Sequence, residues 1–232
     1  MTLRAIIFDV DGTLAETEEL HRRAFNDVFA AQGLGWHWDQ PRYRELLRVT
    51  GGKERIRRDL ADRGIDPDAH DIPALHRAKT ERYTALMAGG EIALRPGIAA
   101  LIDSARAAGL LLAIATTTSR PNIDALIRAT MGCDAAQVFD VIAAGDEVAA
   151  KKPAPDVYLL ALERLGLPAA AAVALEDSLN GLLSARAAGL RCVVSPAIYT
   201  RGDVFPGDCP LVADFTHVST PEALEMLLRE PA

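Results

Sequence analysis

The chain has 232 residues, half of them hydrophobic and 25% charged, and carries a net charge of -7. That much apolar material can build one large domain plus an insertion, and the acidic balance argues against a nucleic-acid surface, which needs net basic faces. The first apolar run is broken by Asp9 and none is long enough to span a bilayer. A cytoplasmic monomer with no membrane or nucleic-acid partner is therefore expected.

From the N-terminus, Ala5, Ile6, Ile7 and Phe8 predict a strand, stopped by Asp9 and Asp11 with Val10 between them. Side chains alternate along a strand, so the two acids project to one side and Val10 to the other. Gly12 allows a tight turn, and Thr13 adds a hydroxyl. The period then becomes helical. Leu20, Ala24, Val28 and Phe29 predict a helix to about residue 32, ended by Gly33 and Gly35. Further helical signals cover 42–48, 53–63 and 73–87 with no strand between them, each bounded by Gly, Pro or Asp. Trp36 and Trp38 are expected to pack among these helices.

Beyond the turn Arg95-Pro96-Gly97 the chain alternates. Helices are predicted over 98–108, 121–131, 155–165 and 179–188, and strands over 110–115, 138–143, 172–175 and 190–194. Continuous apolar strands separated by amphipathic helices imply an α/β fold with a Rossmann-like parallel sheet covered on both faces. The first strand belongs in that sheet. Residues 1–15 and 95–232 are thus expected to form the core domain, and 16–94 an all-helical cap inserted into it. Cys133, Cys192 and Cys209 are odd in number and far apart, suggesting neither a disulfide framework nor a zinc site.

Ligands of open parallel sheets bind beyond the carboxyl ends of the strands, and the polar residues fall there repeatedly. Thr116, Thr117, Thr118 and Ser119 follow one strand and precede a helix opened by Pro121; they can cap that helix or offer hydroxyls and N–H groups to an anion. Lys151 and Lys152 precede Pro153 and can supply a cation. Glu176 and Asp177 end another strand, where they can ligate Mg²⁺ through oxygen or cap the next helix. Counted together, Asp9, Asp11, Glu176 and Asp177 against one lysine leave a formal -3, which repels phosphate unless a divalent cation is bound. Mg²⁺ would leave -1, and a proton on Asp11 would leave zero.

In this order, Asp9-Val10-Asp11-Gly12-Thr13, Thr116, Lys152 before Pro153, and Glu176-Asp177 resemble the four motifs of the haloacid dehalogenase-like superfamily. More closely, Leu14-Ala15-Glu16-Thr17-Glu18-Glu19-Leu20-His21, Thr50-Gly51-Gly52-Lys53-Glu54-Arg55 and Ala174-Leu175-Glu176-Asp177-Ser178-Leu179-Asn180-Gly181 look like the CbbY-type sugar bisphosphate phosphatases of the Calvin cycle. The resemblance implies that Asp9 attacks phosphorus to form an aspartyl phosphate, while Asp11 protonates the leaving oxygen and then activates water. It also implies Mg²⁺ as cofactor, held by Asp9, Asp177 and the backbone carbonyl of Asp11, with Glu176 on or beside the metal. Thr116, the Thr117 N–H and Lys152 would stabilise the transferring oxygens. Lys152 is preferred to Lys151 because it directly precedes the proline.

In the cap, Gly51, Gly52, Lys53 and Arg55 bring a flexible backbone and two cations to a helix start, either a cradle for a second phosphate or a solvated basic face. Glu18, His21, Tyr43, Arg44, His76 and Lys79 on the cap, with Thr118 and Asn122 on the core, complete the candidate substrate contacts. The expected substrate is a small sugar bisphosphate, xylulose 1,5-bisphosphate by best guess. Rival readings are a β-phosphoglucomutase-like mutase, a phosphoglycolate-type monophosphatase, and a non-catalytic phosphosugar sensor. A metal-free dehalogenase is disfavoured by Asp11.

Overall fold

Alternation along the first strand decides the layering. Ile6 and Phe8 pack into one apolar cluster and Ala5 and Ile7 into another, all fully buried. A strand buried on both faces belongs in the middle of a covered parallel sheet. The structure, a computed structural model, describes residues 3–90 and 92–229. In it, β1 (Ala5–Phe8) is followed by the helices α1 (Glu18–Ala31), α2 (Gln40–Leu46), α3 (Gly52–Asp62) and α4 (Ile72–Met87). Next come α5 (Ile98–Ala107), β2 (Leu111–Ala115), α6 (Arg120–Met131), α7 (Ala135–Val138) and β3 (Val141–Ala143). The chain continues through α8 (Asp156–Leu165), β4 (Ala172–Glu176), α9 (Leu179–Ala187), β5 (Arg191–Val194) and α10 (Pro221–Leu227).

All five strands pair in parallel in the order β3-β2-β1-β4-β5. Phe8 stands level with Ile114 of β2 and Leu175 of β4. Asp9 therefore emerges between Ala115 and Glu176, in the crevice where the strand order reverses. Apolar residues of α5, α6 and α10 cover the Ile6 face, and those of α8 and α9 cover the Ile7 face.

Helices α1 to α4 share their own core, in which Phe25, Phe29, Trp38, Tyr43, Ile56, Leu60 and Ile72 are buried. Trp38 is wholly enclosed and its indole N–H donates to Asp59 Oδ2 at 2.7 Å, while Trp36 lies against the same cluster. The two connections into this helical segment touch, since Ala15 and Leu94 form a β-bridge and the Arg95 N–H donates to Leu14 O at 2.8 Å.

Two differences from the sequence pattern have local causes. The strand expected over 138–143 begins only at Val141, because Gln137 Oε1 accepts from the Asp134 N–H at 2.9 Å and starts a helical turn that takes up Val138. Helix α10 lies in a tail with no predicted element; Pro221 stands at its start and Thr220 Oγ1 accepts from the Ala223 N–H at 3.2 Å. Among the described residues no helix is long and apolar enough to cross a membrane.

Candidate active site

The mouth of β1 opens into a cavity of about 680 Å³ between the sheet and the helical segment. Asp9 is 6% exposed on its floor. Lys152 Nζ donates to Asp9 Oδ1 at 2.7 Å, to Ala115 O at 2.9 Å and to Glu176 Oε1 at 2.6 Å, which uses all three ammonium protons. This identifies Lys152 rather than Lys151 as the cation on the acids; Lys151 bonds Gly145 O instead. Carboxylate oxygens of Asp9, Glu176 and Asp177 lie within 4.8 Å of one another. Burial, resisted by Lys152, pushes Asp9 up to about 7, and burial together with the neighbouring Asp9 and Glu176 charges drives Asp177 well up.

Those shifts fit a divalent cation. Three buried carboxylates against one ammonium leave a formal -2, which Mg²⁺ would cancel. The donors are all oxygen, as a hard cation requires, and Glu176 Oε2 is buried with no protein partner. Gly12, at φ +88°, makes room: a Cβ there would stand 2.3 Å from Asp177 Oδ2. Ser178, whose Oγ accepts from the Gly181 N–H at 3.2 Å, caps α9, so Asp177 is free for other work.

Asp11 departs from the -3 count drawn from the sequence, because its carboxylate belongs to a different set of contacts. Its Oδ1 accepts from Thr17 Oγ1 at 2.6 Å and lies 2.9 Å from His21 Nε2. Burial opposes its ionisation, but His21 and Thr17 outweigh that and hold it down at about 2. His21 Nδ1 lies 2.5 Å from Lys79 Nζ, and the imidazole stacks on Tyr83 with centroids 4.0 Å apart. Burial and the Lys79 charge lower the His21 pKa, so the ring is neutral, accepting from Lys79 at Nδ1 and donating to Asp11 from Nε2.

Thr116, Thr117, Thr118 and Asn122 line the core side of the cavity. Asn122 Nδ2 donates to Thr118 Oγ1 at 2.9 Å, and the buried Asn122 Oδ1 and Ser119 Oγ have no protein partner. Ser119 makes no side-chain cap, which removes the capping reading of this run. Opposite, Glu18, Arg44, Gly51, Gly52, Lys53, Arg55, His76 and Lys79 line the side formed by the helical segment. Arg55 is 9% exposed with its Nε unpartnered, and its Nη1 donates to Tyr43 Oη at 2.9 Å. Lys53 is half exposed and reaches Asp146 of the core at 3.9 Å.

Two expected site residues stand behind the cavity rather than on it. Tyr43 is fully buried and does not line the cavity, because its hydroxyl donates to Glu18 Oε2 at 2.7 Å while its ring packs in the helical core. Glu176 is likewise enclosed, turned to Lys152 and to Tyr158, whose hydroxyl donates to Oε1 at 2.5 Å. Among residues not singled out, Asp146 and Thr200 line the cavity, Thr200 Oγ1 lying 2.7 Å from Asp177 O and 3.0 Å from Oδ2, while Tyr158 stands behind it against Glu176. Tyr158 had one legible signal, a hydroxyl on the buried face of the helix that follows Lys152.

A buried carboxylate at the central strand's mouth, an ammonium on it and an acid cluster beside it stand together at the strand-end crevice of an α/β fold. The family profile of haloacid dehalogenase-like hydrolases matches residues 3–189. The chain belongs to that family and is an enzyme. It is 60% identical over 224 residues to Protein CbbY of Cereibacter sphaeroides, covering 97% of each chain. The crystal structure of CbbY from Rhodobacter sphaeroides in complex with phosphate superposes with a TM-score of 0.93 at 60% identity, over 97% of this chain and 100% of the other. A second structure of that protein, an Asp-to-Asn variant in complex with xylulose-(1,5)bisphosphate, also gives 0.93 at 60% identity, over 96% and 99% of the two chains.

Proposed function

We propose that this enzyme is a Mg²⁺-dependent phosphatase that removes one phosphate from a small sugar bisphosphate, xylulose 1,5-bisphosphate giving xylulose 5-phosphate. The observation that carries this reading is the opposition of two anion-binding ends across one cavity. On the floor stand Asp9, Lys152 and the 116–119 hydroxyl run; on the roof stands Arg55, buried and with an unpartnered nitrogen. A ligand with a phosphate at each end satisfies both. The relative solved with xylulose-(1,5)bisphosphate supports the same substrate. Residues 1–15 and 95–232 then act as a catalytic core, with 16–94 as the cap. A cytoplasmic monomer of the Calvin cycle remains the setting that the sequence suggests.

Asp9 attacks phosphorus, the bond from phosphorus to the sugar oxygen breaks, and phosphate passes to Asp9 as an aspartyl phosphate. The leaving oxygen needs a proton. Asp11 is held ionised, the form a base requires, so as an acid it must first take up a proton that arrives with the substrate phosphate or from solvent, while the neutral His21 keeps the carboxylate oriented through Nε2. Water then attacks the phosphorus of the aspartyl phosphate while Asp11 accepts its proton, releasing phosphate and restoring Asp9. Lys152 stays on Asp9 throughout, and Thr116 and Thr117, which line the cavity, would offer a hydroxyl and an N–H to the transferring oxygens. Mg²⁺, held by Asp9, Asp177 and the Asp11 carbonyl, would neutralise charge on the phosphoryl group.

Phosphate release from a panel of sugar mono- and bisphosphates tests the reading, with Asp9→Asn as control. Xylulose 1,5-bisphosphate is expected to be the preferred substrate, and Asp9→Asn to fold without turning over. A preference for monophosphates, or full turnover by Asp9→Asn, would overturn it.

A further inference from the structure

Glu176 is a buried carboxylate flanked by two residues, Tyr158 and Gly181, that do not line the cavity. It is 1% exposed, and its Oε1 accepts from both Lys152 Nζ at 2.6 Å and Tyr158 Oη at 2.5 Å. Tyr158, on α8 beneath the sheet, is fully enclosed, and Lys152 Nζ lies 5.0 Å from its ring centroid. On the far side, the carboxylate is accommodated only because residue 181 is glycine. A Cβ at Gly181 would stand 1.8 Å from Oε2 and 2.3 Å from Oε1, closer than any real contact. Gly181 sits inside α9 without a positive φ, so helix geometry alone does not require glycine there.

These contacts set the direction of the Lys152 ammonium. Its three protons are divided among Asp9, Ala115 O and Glu176, so a rotation of the Glu176 carboxylate redirects one of them and shifts the other two. With the Tyr158 hydroxyl gone, Oε1 would keep only Lys152, in surroundings where Oε2 already has no protein partner. A buried carboxylate short of donors turns toward whatever proton it can reach. We propose that Tyr158 is a positioning residue, which together with the missing side chain at Gly181 fixes the rotation of Glu176 so that Lys152 is held on the nucleophile Asp9. The inference rests on the phosphatase reading above. Tyr158 touches neither the cavity nor the reacting atoms and acts only through Glu176 and Lys152.

The test uses two variants that reach the same carboxylate from opposite sides. Tyr158→Phe removes one hydroxyl and keeps the ring, while Gly181→Ala improves helix propensity and forces the carboxylate to turn. Both are assayed with Mg²⁺ on xylulose 1,5-bisphosphate and on p-nitrophenyl phosphate, and the Mg²⁺ affinity of each is measured by calorimetry without substrate. Each variant is expected to lose about tenfold or more in kcat, with KM held within about twofold, on both substrates. The double variant should lose little more than either alone, and Mg²⁺ affinity should fall with kcat. A folded variant with wild-type kcat, losses that multiply in the double variant, or loss confined to KM would overturn the proposal. If Tyr158→Phe does not fold, Gly181→Ala decides by itself. A wild type that ignores the bisphosphate but cleaves p-nitrophenyl phosphate would sink the substrate reading alone and leave the positioning test intact.

Discussion

His21, on the first cap helix, places its Nε2 2.9 Å from Asp11 Oδ1 at the mouth of the central strand. A residue of helix α1 thereby completes the environment of an acid ten positions earlier in the sequence, just beyond the end of β1. With Lys79 Nζ 2.5 Å behind the ring, the protonation and direction of Asp11 depend on the cap being in place.

His21→Ala should leave the Asp11 carboxylate with Thr17 as its remaining side-chain donor. The loss expected is in kcat rather than KM, by about tenfold or more, because a proton-transfer group is disoriented while the phosphate contacts survive. Steady-state kinetics decide it, and an unchanged kcat would detach His21 from the proton step.

Lys79 gives a pH signature in stability. Burial lowers its pKa from 10.5 to about 7, so between those values the unfolded chain binds a proton that the folded one does not. Stability must then rise with pH across that window. Compared with Lys79→Met, which has nothing to titrate, the wild type should gain on the order of 2 kcal/mol between pH 7 and pH 9.5. Urea unfolding of both proteins at the two pH values checks this; parallel curves would show that Lys79 is ordinarily charged in the fold.

The acid cluster predicts a metal signature without turnover. Saturating Mg²⁺ should raise the Tm of the wild type by linkage, and chelator should abolish both the shift and the activity. Asp177→Asn removes one of the three clustered carboxylates and should shrink the shift. Differential scanning fluorimetry reads it, and an equal shift in both proteins would place the ion elsewhere.

Arg55 and Lys53 divide the cap cradle unequally. Arg55 is buried with a free nitrogen, whereas Lys53 is half exposed and already paired with Asp146. Arg55→Ala should cost one or two charge-assisted hydrogen bonds, about 1.5 to 3 kcal/mol each, so kcat/KM on the bisphosphate should fall at least tenfold. Lys53→Ala should cost less, since an exposed cation is screened. Both losses should be small on a monophosphate; equal losses on the two substrates would mean that neither cation holds a second phosphate.

Much of this was legible in the chain itself. The switch from period two to period 3.6 after Thr13, the unbroken helical signals before the Arg95-Pro96-Gly97 turn and the strict alternation after it are written within windows of a dozen residues. The acids and lysine at the strand ends are equally local, since a carboxylate ending an apolar strand has few places to be except the mouth of a sheet. What tertiary structure decided is how those groups face one another. Lys152 meets Asp9 across 143 positions, and Lys79 meets His21 across 58. Whether Asp177 caps a helix or faces the acids turned on the neighbouring Ser178 hydroxyl, and whether Asp11 joins the acid cluster turned on Thr17 and His21. Glu176 takes its rotation from Tyr158 and from the absence of a Cβ at Gly181. Side-chain rotation and desolvation are set by packed neighbours distant in the chain, and no periodicity encodes them.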